Sequence, residues 1–280
     1  MTEMYRVSKV LNNNGVIAID MDENKEYVIL GKGVGFGKKV SQRFDKPEGC
    51  TTYRLEQETE RGSAKELVKG IEPEYLEIAD AILTESQKVF GDSIDRGILF
   101  PLADHISFAV ARIRRNEQIS NPLTEDIKVL FYSEFKVAET LKTILRERLQ
   151  IEIDDHEVGY VALHIHSAIG DEKVSVAMQI ARAVRECIDM IEKATGKPID
   201  ILSLSYNRLM NHMKYMVARA STGEKLNLDM NEYMLDQYPQ AYKVATDICK
   251  NLEGCIGHKL DETETGYLAM HIQRVYKDAV

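Results

Sequence analysis

The chain has 280 residues, 44% of them hydrophobic, with 36 Lys and Arg against 45 Asp and Glu and a formal net charge of −9. That length accommodates two or three domains with sizeable cores, and the apolar content excludes a disordered chain. The acidic total argues against a generic nucleic-acid binder. No apolar run reaches membrane-spanning length, MTEMYRVSKV lacks a signal-peptide core, and the cysteines at 50, 187, 249 and 255 form no CxxC or metal-like spacing. A reduced, cytoplasmic protein is expected.

Residues 5–55 read as β-structure. YRVSKVLN alternates apolar and polar side chains, NNNG is a turn with Asn14-Gly15 as its hairpin signal, and GVIAIDM is the next strand. DENKE gives a second turn, YVILGKGVGFGKK a third extended stretch and TTYRL a last short strand. Residues 56–66, EQETERGSAKE, are charged without an apolar face and read as a linker.

Glycines stand at 31, 33, 35 and 37, every second position of GKGVGFGKK. A Walker loop fails, because Lys32 stands five residues before Gly37 and Lys39 replaces the required Ser or Thr. A dinucleotide fingerprint fails at Phe36. Period two belongs to an extended strand, so one face is read as bare backbone and the other as Lys32, Val34, Phe36 and Lys38. A bare face admits a close backbone or a flat ligand, and cations beside a ring suit the phosphates and unstacked bases of looped RNA. A glycine-rich ribbon that merely turns a corner fits the same nine residues. Charge distribution adds to the RNA reading: residues 1–46 carry eight cations against six anions, and 31–46 carry five against one.

From residue 71 the apolar period becomes helical. EYLEIADAILTESQKVF places Tyr75, Ile78, Ala79, Ile82 and Val89 on one stripe. Helical patterns continue to the end, with breaks near GDSIDRG, SNPLT, IGDEK, GKPID and STGEK. They contain a repeat. LADHISFAVAR matches LMNHMKYMVAR, FKVA matches YKVA, and EVGYVALHI matches ETGYLAMHI, all at an offset of 107 residues. Residues 67–172 and 173–280 are therefore two copies of one helical module.

Four of the seven histidines occupy equivalent repeat positions: His105 with His212, and His164 with His271. Each copy keeps two histidines 59 residues apart on different helices, which admits a metal pair, a catalytic pair or two modification sites. Metal is the weakest reading. His164 and His166 diverge on a helix, and Glu157 and Glu264 lie two turns from His164 and His271. No nucleophile elbow, paired-carboxylate motif or cofactor fingerprint accompanies them. His156, His166 and His258 fall outside the repeat and read as structural or surface residues.

KVLNNNG and GKGVGFGKK, followed by two helical repeats with DHI and GYVALHI, resemble a transcriptional antiterminator of the BglG/SacY type. The resemblance spans essentially the whole chain in order. GKGVGFGKK and VALHIHSA are most similar to the subgroup that controls the glucose permease operon. It implies a multidomain protein: a small antiparallel β RNA-binding domain at 1–60, then two all-α helical-bundle PTS regulation domains at 67–172 and 173–280. The β domain would act as a homodimer that grips a leader mRNA antiterminator hairpin and so blocks an overlapping terminator. The family's RNA-contacting positions fall on Asn12, Asn14, Gly31, Lys32 and Phe36, and the cationic face adds Lys38. Relatives often carry Arg at 32, so lysine here keeps a phosphate contact and loses the bidentate fork. Phosphorylatable histidines fall on His105 and His164 in the first module and on His212 and His271 in the second. The donors would be phosphorylated HPr and the sugar-specific enzyme II of the phosphotransferase system. Enzyme II acting on the first module would inhibit, and HPr acting on the second activates many relatives. Arg112 and Arg219 are candidate partners for the added charge. The resemblance implies no metal, no cofactor and no enzymatic activity.

Two other classes compete. A DNA-binding activator with the same sugar-sensing repeats needs an N-terminal helix-turn-helix, where this chain alternates like strands. An enzyme needs a nucleophile with an orienting partner, and none is identified.

Overall fold

Strand β1 (Met4–Asn12) turns through Asn13 and Asn14 into β2 (Gly15–Asp20), and β3 (Glu26–Leu30) follows. The turn falls within NNNG as read, with Asn13 and Asn14 at its corner and Gly15 paired to Asn12. With β4 (Arg43–Asp45) and β5 (Thr51–Arg54) these strands form one antiparallel sheet ordered β4-β1-β2-β3-β5. The three residues of β4 were not legible as a strand. Tyr5, Val7, Val16, Ala18, Ile29 and Phe44 alternate inward and pack together, as period two requires. In this computed structural model the described residues are 4–56, 58–59, 62–170, 173–196, 198–200 and 203–278.

The glycine-rich stretch is not a strand. β3 stops at Leu30, and residues 31–37 form consecutive turns. Val34 is buried in the sheet's core whereas Phe36 is 74% exposed, so the two do not share a face. The alternate glycines serve two purposes. A Cβ on Gly35 would stand 2.0 Å from the carbonyl oxygen of Asn12, so the backbones meet where no side chain fits. Gly33 and Gly37 instead have φ of +75° and +69°, which other residues adopt at a cost. Close approach and turning are both built in, and the extended reading fails.

Part of the stretch read as linker is structured. Glu58–Thr59 pairs with Gly62–Ser63, and Ser63 accepts from the backbone N–H of Glu66 to cap α1 (Ala64–Gly70). Residues 57, 60 and 61 lie outside the described residues.

Packing divides the chain into two units, Met1–Asn121 with Ser133–Lys173, and Pro122–Tyr132 with Val174–Val280. In the first unit, α2 (Pro73–Phe90) begins with proline at its first turn, where the missing N–H is no loss. It packs on α3 (Leu99–Arg114), and Tyr75, Ile78, Ala79 and Ile82 of the expected stripe are buried. Val89 departs from it and is exposed, because it lies in the last turn before Gly91 ends the helix. The unit's other long helix is α7 (Asp155–Gly170).

The short helix α4 (Thr124–Leu130) groups with the second unit, where it packs on α8 (Val174–Thr195) and α9 (Leu204–Thr222). The chain then returns to the first unit for α5 (Tyr132–Ala138) and α6 (Thr140–Leu149). The second unit is completed by α10 (Asn231–Gln237), α11 (Pro239–Ile256) and α12 (Thr263–Asp278). The helix breaks expected from sequence lie at the ends of these elements, with SNPLT, IGDEK and STGEK overlapping α4, α7 and α9 by one or two residues. Among the described residues no helix is long and apolar enough to cross a membrane.

Candidate functional site

Asn12 and Asn14 are tied into the loop by their side-chain carbonyls. Asn12 Oδ1 accepts from the Asn14 backbone N–H (2.8 Å), and Asn14 Oδ1 accepts from the Gly33 N–H (3.0 Å). The Gly31 and Gly35 N–H groups donate to the carbonyls of Asn14 and Asn13, both at 2.9 Å. Hairpin turn and glycine loop are thereby stitched into one piece. The structure brings Asn12, Asn14 and Gly31 together, with Lys32 and Phe36 exposed on the same loop. Lys38 is partly buried, its ammonium 4.9 Å from the centre of the Phe44 ring on β4.

In the helical modules, residues 59 apart meet as ring pairs. His105 on α3 and His164 on α7 have ring centres 5.3 Å apart, and His212 on α9 and His271 on α12 stack at 4.8 Å. Beside each pair stands a buried carboxylate. Glu157 Oε2 lies 3.4 Å from His105 Nε2, and its Oε1 accepts from Arg112 Nη2 at 2.9 Å. In the second module Glu264 Oε2 lies 3.6 Å from His212 Nε2, and the carboxylate accepts two hydrogen bonds from Arg219, at 2.6 and 2.9 Å. Tyr160 and Tyr267 flank the first histidine of each pair.

The electrostatics follow from burial and partners. Burial pushes the Glu157 carboxyl upward, but His105 and Arg112 more than offset this and hold it below the usual carboxylate range. Burial, with His271 and Arg219 nearby, lowers His212 to about 3. Burial, with Arg274 and Arg208, lowers His271 to about 4. Both rings are neutral at physiological pH. The Nε2 atoms of His105 and His212 are buried, each facing only a carboxylate oxygen at the long distances of 3.4 and 3.6 Å. A neutral imidazole nitrogen with an arginine nearby can accept a phosphoryl group and then meet its charge.

All four repeat histidines are thus paired as two sites. Glu157 and Glu264 were missed as members, because sequence spacing relates them to His164 and His271 on their own helices, whereas they reach across to His105 and His212. The signal that identifies them is the repeat, since both stand in its EVGY and ETGY segments. His166 Nδ1 instead meets Glu134 Oε1 at 2.9 Å, and His258 is exposed. His156 stands in the first turn of α7. Among the described residues no group of three His, Cys, Asp or Glu side chains is placed to hold a metal ion.

Comparison with known proteins matches the CAT RNA binding domain to residues 5–62 and the PRD domain to residues 80–168 and 185–275. The chain is 30% identical over 274 residues to the glcA/glcB genes antiterminator of Staphylococcus carnosus, covering 96% of this chain and 94% of that one. It is 29% identical to Protein GlcT of Staphylococcus haemolyticus, over 96% of this chain and 95% of that one. It is 27% identical to the transcription antiterminator LicT of Bacillus subtilis, over 98% and 100%. The crystal structure of GlcT CAT-PRDI superposes with a TM-score of 0.52 at 29% identity, covering 60% of this chain and 99% of that one.

Proposed function

The chain belongs to the transcriptional antiterminators built from a CAT RNA-binding domain and PRD domains, regulators and not enzymes, and on that premise we propose how its sites divide the work. A homodimer of the domain at 1–60 binds a leader mRNA hairpin through Asn12, Asn14, Gly31, Lys32, Phe36 and Lys38, and the hairpin so held prevents the terminator from forming. The modules at 67–172 and 173–280 accept phosphoryl groups at His105, His164, His212 and His271. Enzyme II of a sugar phosphotransferase system and phosphorylated HPr supply them in the cytoplasm, and the regulated operon is of the glucose permease type.

The observation that carries this reading is the duplicated arrangement of two facing histidines, a carboxylate and an arginine. A phosphoryl group adds about 1.5 to 2 negative charges. Set about 4 Å from the neighbouring carboxylate, each unit of charge is repelled by about 4 kcal/mol at an effective dielectric of about 20. Arg112 and Arg219 are the groups able to shift a guanidinium from carboxylate to phosphoryl, so modification and local rearrangement are coupled. The sheet over residues 4–54 leaves no helix-turn-helix there for the DNA-binding alternative.

The test is phosphorylation of the purified chain with phosphoenolpyruvate, enzyme I, HPr and enzyme II, with the sites located by mass spectrometry. Readthrough of the leader terminator is followed in the same samples. Phosphate on residues other than these four histidines, or readthrough that ignores it, refutes the assignment.

A further inference from the structure

Helix α2 carries a carboxylate into the loop assigned to RNA. Glu77 Oε1 accepts from Asn12 Nδ2 at 2.7 Å, and Glu77 Oε2 accepts from Asn14 Nδ2 at 3.1 Å. The amides have no other orientation open to them, because both side-chain carbonyls are committed within the loop. Their NH2 groups are the donors left for a ligand, and both are on Glu77. Arg148 on α6 stands 3.7 Å from the same carboxylate. One turn along α2, Asp80 accepts from Tyr53 of β5, and Arg96 donates to both Asp80 and Tyr53 at 2.8 Å. The seam between sheet and α2 is thus closed at two polar points.

We propose that Glu77 is an internal competitor for the RNA site, a carboxylate that occupies the Asn12 and Asn14 amides in the closed protein and must leave before a hairpin is gripped. This rests on the reading of those asparagines as RNA contacts. Two oxygens on one carbon present to two amides what two non-bridging phosphate oxygens or a base edge would present. The same negative charge repels the RNA backbone while it stays in place. Contacts of this polar kind exchange with RNA more readily than a buried apolar surface, because each donor trades one acceptor for another. Affinity for RNA is then the intrinsic affinity scaled by the fraction of molecules in which α2 has parted from the loop.

The experiment measures binding of the full chain to a labelled leader hairpin from upstream of the nearest sugar-permease operon, at fixed salt, by fluorescence anisotropy. Glu77→Ala is expected to tighten binding by roughly fivefold or more, the low end of typical coupling between sites. Glu77→Gln, which keeps the shape, should tighten it less. Glu85→Ala, which removes an equal charge from the same helix, should change it by less than about twofold, as an exposed charge distant from the ligand does. Asn12→Ala with Asn14→Ala should weaken binding and abolish the gain from Glu77→Ala. If the asparagine variants weaken binding while neither Glu77 variant tightens it, or Glu85→Ala matches Glu77→Ala, the competitor proposal is overturned alone. If Asn12→Ala with Asn14→Ala, added to Glu77→Ala, leaves binding as tight as Glu77→Ala alone, the RNA assignment of the asparagines falls and takes the proposal with it.

Discussion

Acidification from about pH 7 to about pH 5 is expected to destabilise the second unit through His212. Burial and its neighbours hold this ring at about 3, against 6.5 for an ordinary imidazole. Across that interval the folded ring stays neutral, while the unfolded ring takes up a proton below 6.5. Its contribution is therefore intact above 6.5 and is lost progressively as pH falls toward the folded value. At about pH 5 the unfolded ring is about 97% protonated, and the linked loss is about 2 kcal/mol. Any folded value below about 4 gives the same figure, because the folded ring is then essentially neutral at pH 5. His271 adds a comparable loss in kind, but the two rings stack at 4.8 Å and titrate as a pair, so the sum falls short of double. Urea titrations of the full chain and of His212→Asn, followed by circular dichroism at both pH values, isolate the effect from other titrating groups. The parent chain should lose about 2 kcal/mol more than the variant between the two conditions. Equal losses in both would refute the reasoning.

Other outcomes are expected at the RNA loop and the first module. Phe36→Ala should weaken hairpin binding by about 1–3 kcal/mol with the fold intact by circular dichroism, since an exposed ring has no packing to lose. Lys38→Ala should weaken it less and make the salt dependence shallower by about one unit of slope, which binding at several ionic strengths reads directly. Gly35→Ala should lower the melting temperature and hairpin affinity together, because its Cβ would stand 2.0 Å from the Asn12 carbonyl oxygen. His105→Asp or His164→Asp should lower readthrough in a reporter behind the leader terminator, and alanine at both should make readthrough independent of sugar. Sugar-dependent loss in the double alanine variant would show that control runs elsewhere.

The strands and long helices were legible because each shows one period over enough residues, and the repeat located both histidine pairs. The glycine loop misled because one spacing served two geometries, close approach at Gly35 and positive φ at Gly33 and Gly37. An alternation of glycines carries no label saying which is meant. Glu157, Glu264 and Glu77 were missed for another reason. Each acts on a partner at least 52 residues away in sequence, and spacing along one helix says nothing of a neighbour on another element. Helices α4 and α10 stand at equivalent repeat positions, and here the two copies differ in sequence. Asp126 is buried and lies near Arg185 and Tyr206, while its repeat equivalent Tyr233 is exposed.

The excursion of residues 122–132 into the second unit has a consequence for synthesis on the ribosome. Ile127 and Leu130 are buried, and their helix packs on α8 and α9, which emerge only after the rest of the first unit has been made. At usual elongation rates the apolar side of α4 waits on the order of ten seconds for its cover. During that wait the nascent chain presents a short greasy helix tethered at both ends to an otherwise finished body. A stop codon placed after residue 173 makes the wait permanent. Such a fragment is exposed to self-association at this point, and Ile127→Lys is the change that would relieve it.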